Sequence, residues 1–152
     1  MNKVLTAIFI LSTIIIYSCS KDSINTRPSL TLVSFNPEVV AVNSDAQVRF
    51  TFSDKEADLD TLAIYKVRIN KQTTETLRDS FKLGVPEFTK TSNGDLFVDL
   101  SYQNYLVSAK TPPTSGNPPR RQPDTLIFRF VLRDKAKNVS DTVVSSPIVV
   151  IR

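Results

Sequence analysis

Apolar and polar residues alternate with a period of two through most of the chain after residue 28, and no stretch there repeats every 3.6 residues as a helix would. Val48, Phe50 and Phe52 alternate with Arg49, Thr51 and Ser53. Ala63, Tyr65, Val67 and Ile69 alternate with Ile64, Lys66, Arg68 and Asn70. Leu96, Val98, Leu100 and Tyr102 alternate with Phe97, Asp99 and Ser101, and Leu126, Phe128, Phe130 and Leu132 with Ile127, Arg129, Val131 and Arg133. Successive side chains of a strand point to opposite faces, so one set of each run belongs on a buried face and the other mostly toward water. Further strands are expected at residues 30–35, 38–42, 74–83 and 142–151. Pro37 lies between the first two and suits an edge strand that breaks and switches sheets. Asn36-Pro37, Asn43-Ser44-Asp45, Ser92-Asn93-Gly94 and Lys137-Asn138 punctuate the runs as turns. About seven or eight short strands over roughly 120 residues predict an all-β sandwich.

The start of the chain has a different pattern. Met1-Asn2-Lys3 is a short cationic lead, and residues 4–17 form an apolar run interrupted only by Thr6, Ser12 and Thr13. The run is shorter than the roughly 20 residues a spanning helix needs, and it has the length and flanks of a signal-peptide core. It ends in Ile16-Tyr17-Ser18-Cys19. This resembles the lipobox of bacterial lipoproteins, an aliphatic residue and two small ones before the acylated cysteine, with Tyr17 where a smaller residue is usual. The resemblance implies cleavage after Ser18, lipid on Cys19, and residence in the cell envelope at the outer membrane. Such lipoproteins carry two or three acyl chains, and a single chain would hold only marginally. Ser20-Lys21-Asp22-Ser23 resembles a surface-export signal of Bacteroidota lipoproteins and reads equally as a solvated linker. The expected organisation is a signal peptide at 1–18, a lipidated cysteine and polar tether at 19–28, and a sandwich at 29–152.

Two motifs suggest a family for the sandwich. The segment Phe52-Ser53-Asp54-Lys55-Glu56-Ala57-Asp58-Leu59-Asp60 resembles the F-x-D-x-D-G-D-L-G turn of immunoglobulin-like lipoproteins from Bacteroidota. Asp124-Thr125-Leu126-Ile127-Phe128, followed by Arg133-Asp134-Lys135-Ala136-Lys137-Asn138-Val139-Ser140, resembles their D-T-I-x-F … D-R-A-G-N-x-S hairpin. The resemblance implies an immunoglobulin/fibronectin-like β-sandwich. It also exposes a departure, because Ala57, Asp60 and Lys137 stand where the family has glycine. Glycine is favoured where φ is positive, so either the turns are built differently or Asp60 or Asn138 takes the left-handed position.

Composition narrows the chemistry. The 152 residues contain no His, so the commonest general base and metal ligand is missing. The single Cys forms no intrachain disulfide or thiolate cluster. Trp is absent and Gly occurs only 3 times, which argues against a sugar-stacking platform and a phosphate-cradling loop. A net charge of +4 is too mild to imply nucleic acid.

Three features remain as candidates. Asp54, Glu56, Asp58 and Asp60 place four carboxylates in seven residues, hard oxygen ligands of the kind calcium takes. The loop is not an EF-hand, which has glycine and glutamate where Leu59 and Tyr65 stand. In a sandwich the turn after the second long strand and the turn between the last two share a pole, so Asp134 is expected near this loop, completing a structural calcium site. The competing expectation is that Arg133, Lys135 and Lys137 simply pair with the acids. Residues 110–123 hold five prolines and are expected to be extended and polyproline-like, either a floppy insertion or a contact loop in which Arg120 and Arg121 meet an acidic partner or glycan. Asp22-Ser23-Ile24, Asp60-Thr61-Leu62, Asp124-Thr125-Leu126 and Asp141-Thr142-Val143 resemble the O-glycosylation motif of Bacteroidota. The expected function is a non-enzymatic, lipid-anchored binding or structural module with a protein or glycan partner. The alternatives are an accessory glycan-binding or uptake lipoprotein using Phe97, Tyr102 and Tyr105, and a carboxylate-based hydrolase.

Overall fold

The computed structural model describes residues 26–70, 79–107 and 114–152. The expected signal peptide, Cys19 and most of the expected tether lie outside them. In chain order the strands are β1 (Ser29–Asn36), β2 (Val39–Val40), β3 (Ala46–Ser53), β4 (Leu59–Arg68), β5 (Asp79–Gly84), β6 (Asn93–Leu100), β7 (Thr114–Ser115), β8 (Arg120–Arg121), β9 (Asp124–Asp134), β10 (Val143–Val144) and β11 (Ile148–Val150). The fold is all-β. One sheet has the order β1-β3-β6, and a second has the order β2-β11-β9-β4-β5 with β10 also on β9. Their long pairings are antiparallel, while β2 runs parallel to β11.

The two sheets close over one core. β3 buries Ala46, Val48, Phe50 and Phe52 and turns Gln47, Arg49, Thr51 and Ser53 to solvent, as the alternation requires. β9 buries Leu126, Phe128, Phe130 and Leu132. Phe50 meets Phe130 across the interface edge to face with ring centroids 4.8 Å apart, and Phe35 meets Phe128 at 5.3 Å. Each such fully buried large side chain contributes about 1.5–3 kcal/mol. Gly94 sits opposite Phe52, where a Cβ would come within 3.2 Å of its ring.

Several expectations change in detail. The chain does break at Pro37 and switch sheets, but only Val39 and Val40 of the 38–42 run pair. The 74–83 strand is seen as β5, and residues 74–78 lie outside the described set. The run at 142–151 splits at Ser145-Ser146-Pro147, because Pro147 has no N–H to donate. Ser145 bridges the break: its Oγ accepts the Phe128 N–H at 3.0 Å, and its own N–H donates to the Phe128 carbonyl at 2.9 Å. Tyr102 does not extend β6 but starts one π-helical turn, Tyr102–Leu106, in which the Leu106 and Val107 N–H groups donate to Ser101 and Tyr102 carbonyls.

β4 turns its charged set inward. Leu62, Ile64, Lys66 and Arg68 face the core side, and Tyr65 faces solvent. The proline segment also differs from the extended reading over its described part. Thr114–Ser115 and Arg120–Arg121 pair as a hairpin, with Pro118 and Pro119 in its turn where no ladder N–H is needed and Gly116 at φ +88°.

Candidate functional site

Strand direction sets the two ends of the molecule. β1 starts, β3 ends, β4 starts and β9 ends at one pole, which gathers the turn 54–58 and the turn 134–138. The two turns are near copies, Asp-Lys-Glu-Ala-Asp and Asp-Lys-Ala-Lys-Asn. In the first, the Asp54 carbonyl accepts the Ala57 N–H, and Asp54 Oδ2 accepts the Asp58 N–H at 2.8 Å. In the second, the Asp134 carbonyl accepts the Lys137 N–H, and Asp134 Oδ1 accepts the Asn138 N–H at 2.7 Å. The left-handed positions of the two turns fall on Ala57 (φ 52°) and Lys137 (φ 73°), two of the three places where the resembled motifs have glycine, and not on Asp60, the third, or on Asn138. These residues therefore carry strain of about 1–2 kcal/mol each, partly offset because glycine costs more unfolded-state entropy. Ala57→Gly and Lys137→Gly should each raise stability by about 0.5–1 kcal/mol in chemical denaturation; a loss would show that the turns do not need the left-handed geometry.

The copies differ at their last residue. Asn138 Nδ2 donates back to Asp134 Oδ2 at 2.7 Å. Asp58 has no such proton to give when ionised, and its Oδ1 and Asp54 Oδ1 are both buried without a hydrogen-bond partner. Asp54 and Asp134 are each only 1% exposed. One carboxylate oxygen from each of Asp54, Asp58 and Asp134 lies within 4.8 Å of the others. Burial, then the like charges of Asp54 and Asp134, then a hydrogen bond that the protonated Asp58 carboxyl makes with Asp54, push the Asp58 carboxyl above its ordinary pKa, against the charge of Lys135. The folded state thus holds the proton more tightly than the unfolded chain, and stability falls as pH rises between the ordinary carboxylate value and the raised one.

The remaining acids of the loop go elsewhere. Glu56 is exposed. Asp60 accepts from Arg133 Nη2 at 2.7 Å and from the Thr61 hydroxyl at 2.8 Å, and these bonds hold its carboxyl below the ordinary range. Lys135 Nζ reaches Glu87 at 3.8 Å, while its N–H donates to the Asp58 carbonyl. The expected charge pairing is therefore present around Asp60 but does not extend to Asp54, Asp58 and Asp134.

The chain also comes in at this pole. Asn138 Nδ2 donates to the Thr26 carbonyl at 3.4 Å, and Arg27 donates to the Val139 carbonyl at 3.0 Å and to Asp141. Arg120 and Arg121 stand exposed on the hairpin preceding β9, at the opposite end. Of the aromatic trio, Tyr102 is buried with its hydroxyl donating to the Ile151 carbonyl at 2.6 Å, and Tyr105 packs on Phe81. Only Phe97 is open, under the Arg49 guanidinium. Among the described Asp-Thr pairs, Thr61 and Thr125 are half-buried in the sheet and Thr142 is exposed; Ser23 lies outside the described residues.

The pattern reading missed a buried ionic cluster at the far pole. Arg68 Nε lies 2.7 Å from Asp124 Oδ1, Arg152 Nε lies 3.6 Å from Asp124 Oδ2, and Lys66 Nζ donates to the Tyr105 carbonyl at 2.6 Å and pairs with Asp79. Burial lowers the Lys66 pKa, against the hydrogen bond and charge of Asp79. Two inward cations on consecutive same-face positions of β4 were the available signal.

No protein-family model matches the chain, and no curated protein does. Among solved structures, a β-glucosidase from Listeria innocua in complex with gluconolactone is similar at 10% identity and a TM-score of 0.43, over 83% of this chain and 16% of that one. Spo0M, a sporulation control protein from Bacillus subtilis, is similar at 11% identity and a TM-score of 0.41, over 83% of this chain and 50% of that one. The chain spans less than two thirds of either.

Proposed function

We propose that this is a lipoprotein of the bacterial cell envelope, a non-enzymatic binding or structural module held at the outer membrane by lipid on Cys19. The body is read as an immunoglobulin-like sandwich. Lettered in chain order, β1, β3 and β6 take the places of A, B and E, and β4, β9 and β11 those of C, F and G, with β5 as C′. This strand order supports the reading, as do the lipobox-like residues before Cys19.

One observation carries the functional part: the molecule is polar end to end. Thr26 and Arg27 are bonded to the turn after β9, and no more than about 25 Å of extended chain separates Thr26 from Cys19. The hairpin with Arg120 and Arg121 lies beyond the other end of β9, whose 11 residues span about 35 Å. A lipid at Cys19 would put the acidic pole beside the membrane and present the hairpin outward, where a protein or glycan partner with acidic groups would meet it. Cys19→Ala is expected to give an uncleaved precursor or a protein released from membranes, read by fractionation and mass spectrometry. A variant that stays fully processed and membrane-bound rules the anchor out.

A further inference from the structure

We propose that Asp54, Asp58 and Asp134 form a calcium site that joins the two copied turns at the pole where the chain comes in. The inference is independent of the lipid anchor. Three carboxylates alone would not carry it. Asp54, 1% exposed, keeps one buried oxygen that no N–H or hydroxyl reaches, and the group set against Asp54 is another carboxyl, that of Asp58. An unpaired buried acceptor of this kind is costly unless something fills the gap. Asp58 Oδ1 is buried and unpaired in the same way.

No side-chain cation fills it. None of the three acids is in an ion pair among the described residues; Arg133 is directed to Asp60 and Lys135 to Glu87. The distances suit calcium. Oxygens that all lie within 4.8 Å of one another can share one ion at calcium's roughly 2.3–2.6 Å bond length, and an all-oxygen carboxylate set is the kind calcium takes. Asp58 also lines a surface depression, with Glu87, Lys90 and Lys135 among its other walls, so it is the one of the three acids that borders open space there.

The second turn shows what the first would look like without an ion. There, Asn138 donates its amide proton to Asp134, and the turn closes on itself. Asp58 puts a carboxylate where Asn138 puts a donor. That exchange turns a self-contained turn into one that needs a cation or a shared proton.

The test is a thermal melt of the full chain in detergent at pH 7, with millimolar calcium chloride or with chelator, supported by calorimetric titration of calcium. Calcium at about a hundred times its dissociation constant should raise the midpoint by about 10 °C. Asp58→Asn, built to imitate the second turn, should melt above the wild type in chelator and gain nothing from calcium. Glu56→Gln should keep the full calcium shift. A wild type that neither binds calcium nor shifts at pH 7 overturns the site and leaves Asp54 and Asp58 as an acid pair sharing a proton. A shift that survives in Asp58→Asn overturns it equally. Neither result depends on whether Cys19 is lipidated.

Discussion

Asp124→Asn is expected to lower the melting midpoint by about 10–20 °C. The carboxylate is buried and lies against two guanidiniums, Arg68 at 2.7 Å and Arg152 at 3.6 Å. Asparagine keeps the shape and removes the charge that both guanidiniums face at the end of the core. Removing one partner of a buried pair costs about 3–5 kcal/mol, because the other charge stays desolvated. In a domain of this size each kcal/mol moves the midpoint by roughly 3–5 °C. The contrast is Asp141→Asn, whose pair with Arg27 is 99% exposed on the Asp141 side and should change stability by under about 1 kcal/mol. A drop of less than about 3 °C for Asp124→Asn would mean that water already reaches the cluster.

Phe130→Ala should cost about 3–5 kcal/mol in chemical denaturation. Phe130 is fully buried and joins the two sheets through Phe50, with Phe128 stacked beside it at 6.2 Å. Truncation removes the ring and leaves a cavity at the centre, where the sheets cannot collapse because their spacing is held by neighbouring rows. The double variant Phe50→Ala with Phe130→Ala should lose about 0.5–1.5 kcal/mol less than the sum of the singles, which is the edge-to-face term. Strict additivity would place the two rings in separate parts of the core.

The long strands were legible because their alternation is strict. β3 and β9 carry large apolar residues at every second position, and no other conformation buries such a set on one face. Pro37 was legible for the same physical reason that it breaks β1 from β2. β4 was harder, since its inward set mixes Leu62 and Ile64 with Lys66 and Arg68, and only the partners Asp79, Asp124 and the Tyr105 carbonyl make those cations tolerable inside. Those partners come from distant parts of the chain. At the acidic pole, the meeting of Asp134 with the 54–60 loop followed from topology. Which acids meet did not, because Asp60 is withdrawn by Arg133, a neighbour across the β4–β9 ladder that the linear sequence does not display. The missing glycines left two readings open, that the turns are built differently or that Asp60 or Asn138 takes the left-handed position. The hydrogen bonds from Asp54 and Asp134 put Ala57 and Lys137 there.

The open borders of the two sheets bear on how copies of this protein behave beside one another. Among the described residues, β6 and β5 each leave one side unpaired, as does β1. Such borders can recruit strands from a second molecule and grow into aggregates. Here β6 carries Asp95 and Asp99, β5 is six residues long with Asp79 and Lys82 and is closely followed by Pro86, and β1 has an irregular register between Leu32 and Ser34. Each feature spoils the flat, uncharged border that a foreign strand would need. If lipid on Cys19 holds the protein at a membrane as proposed, it would meet its own copies far more often in two dimensions than in free solution, and these borders would let it do so without zipping together.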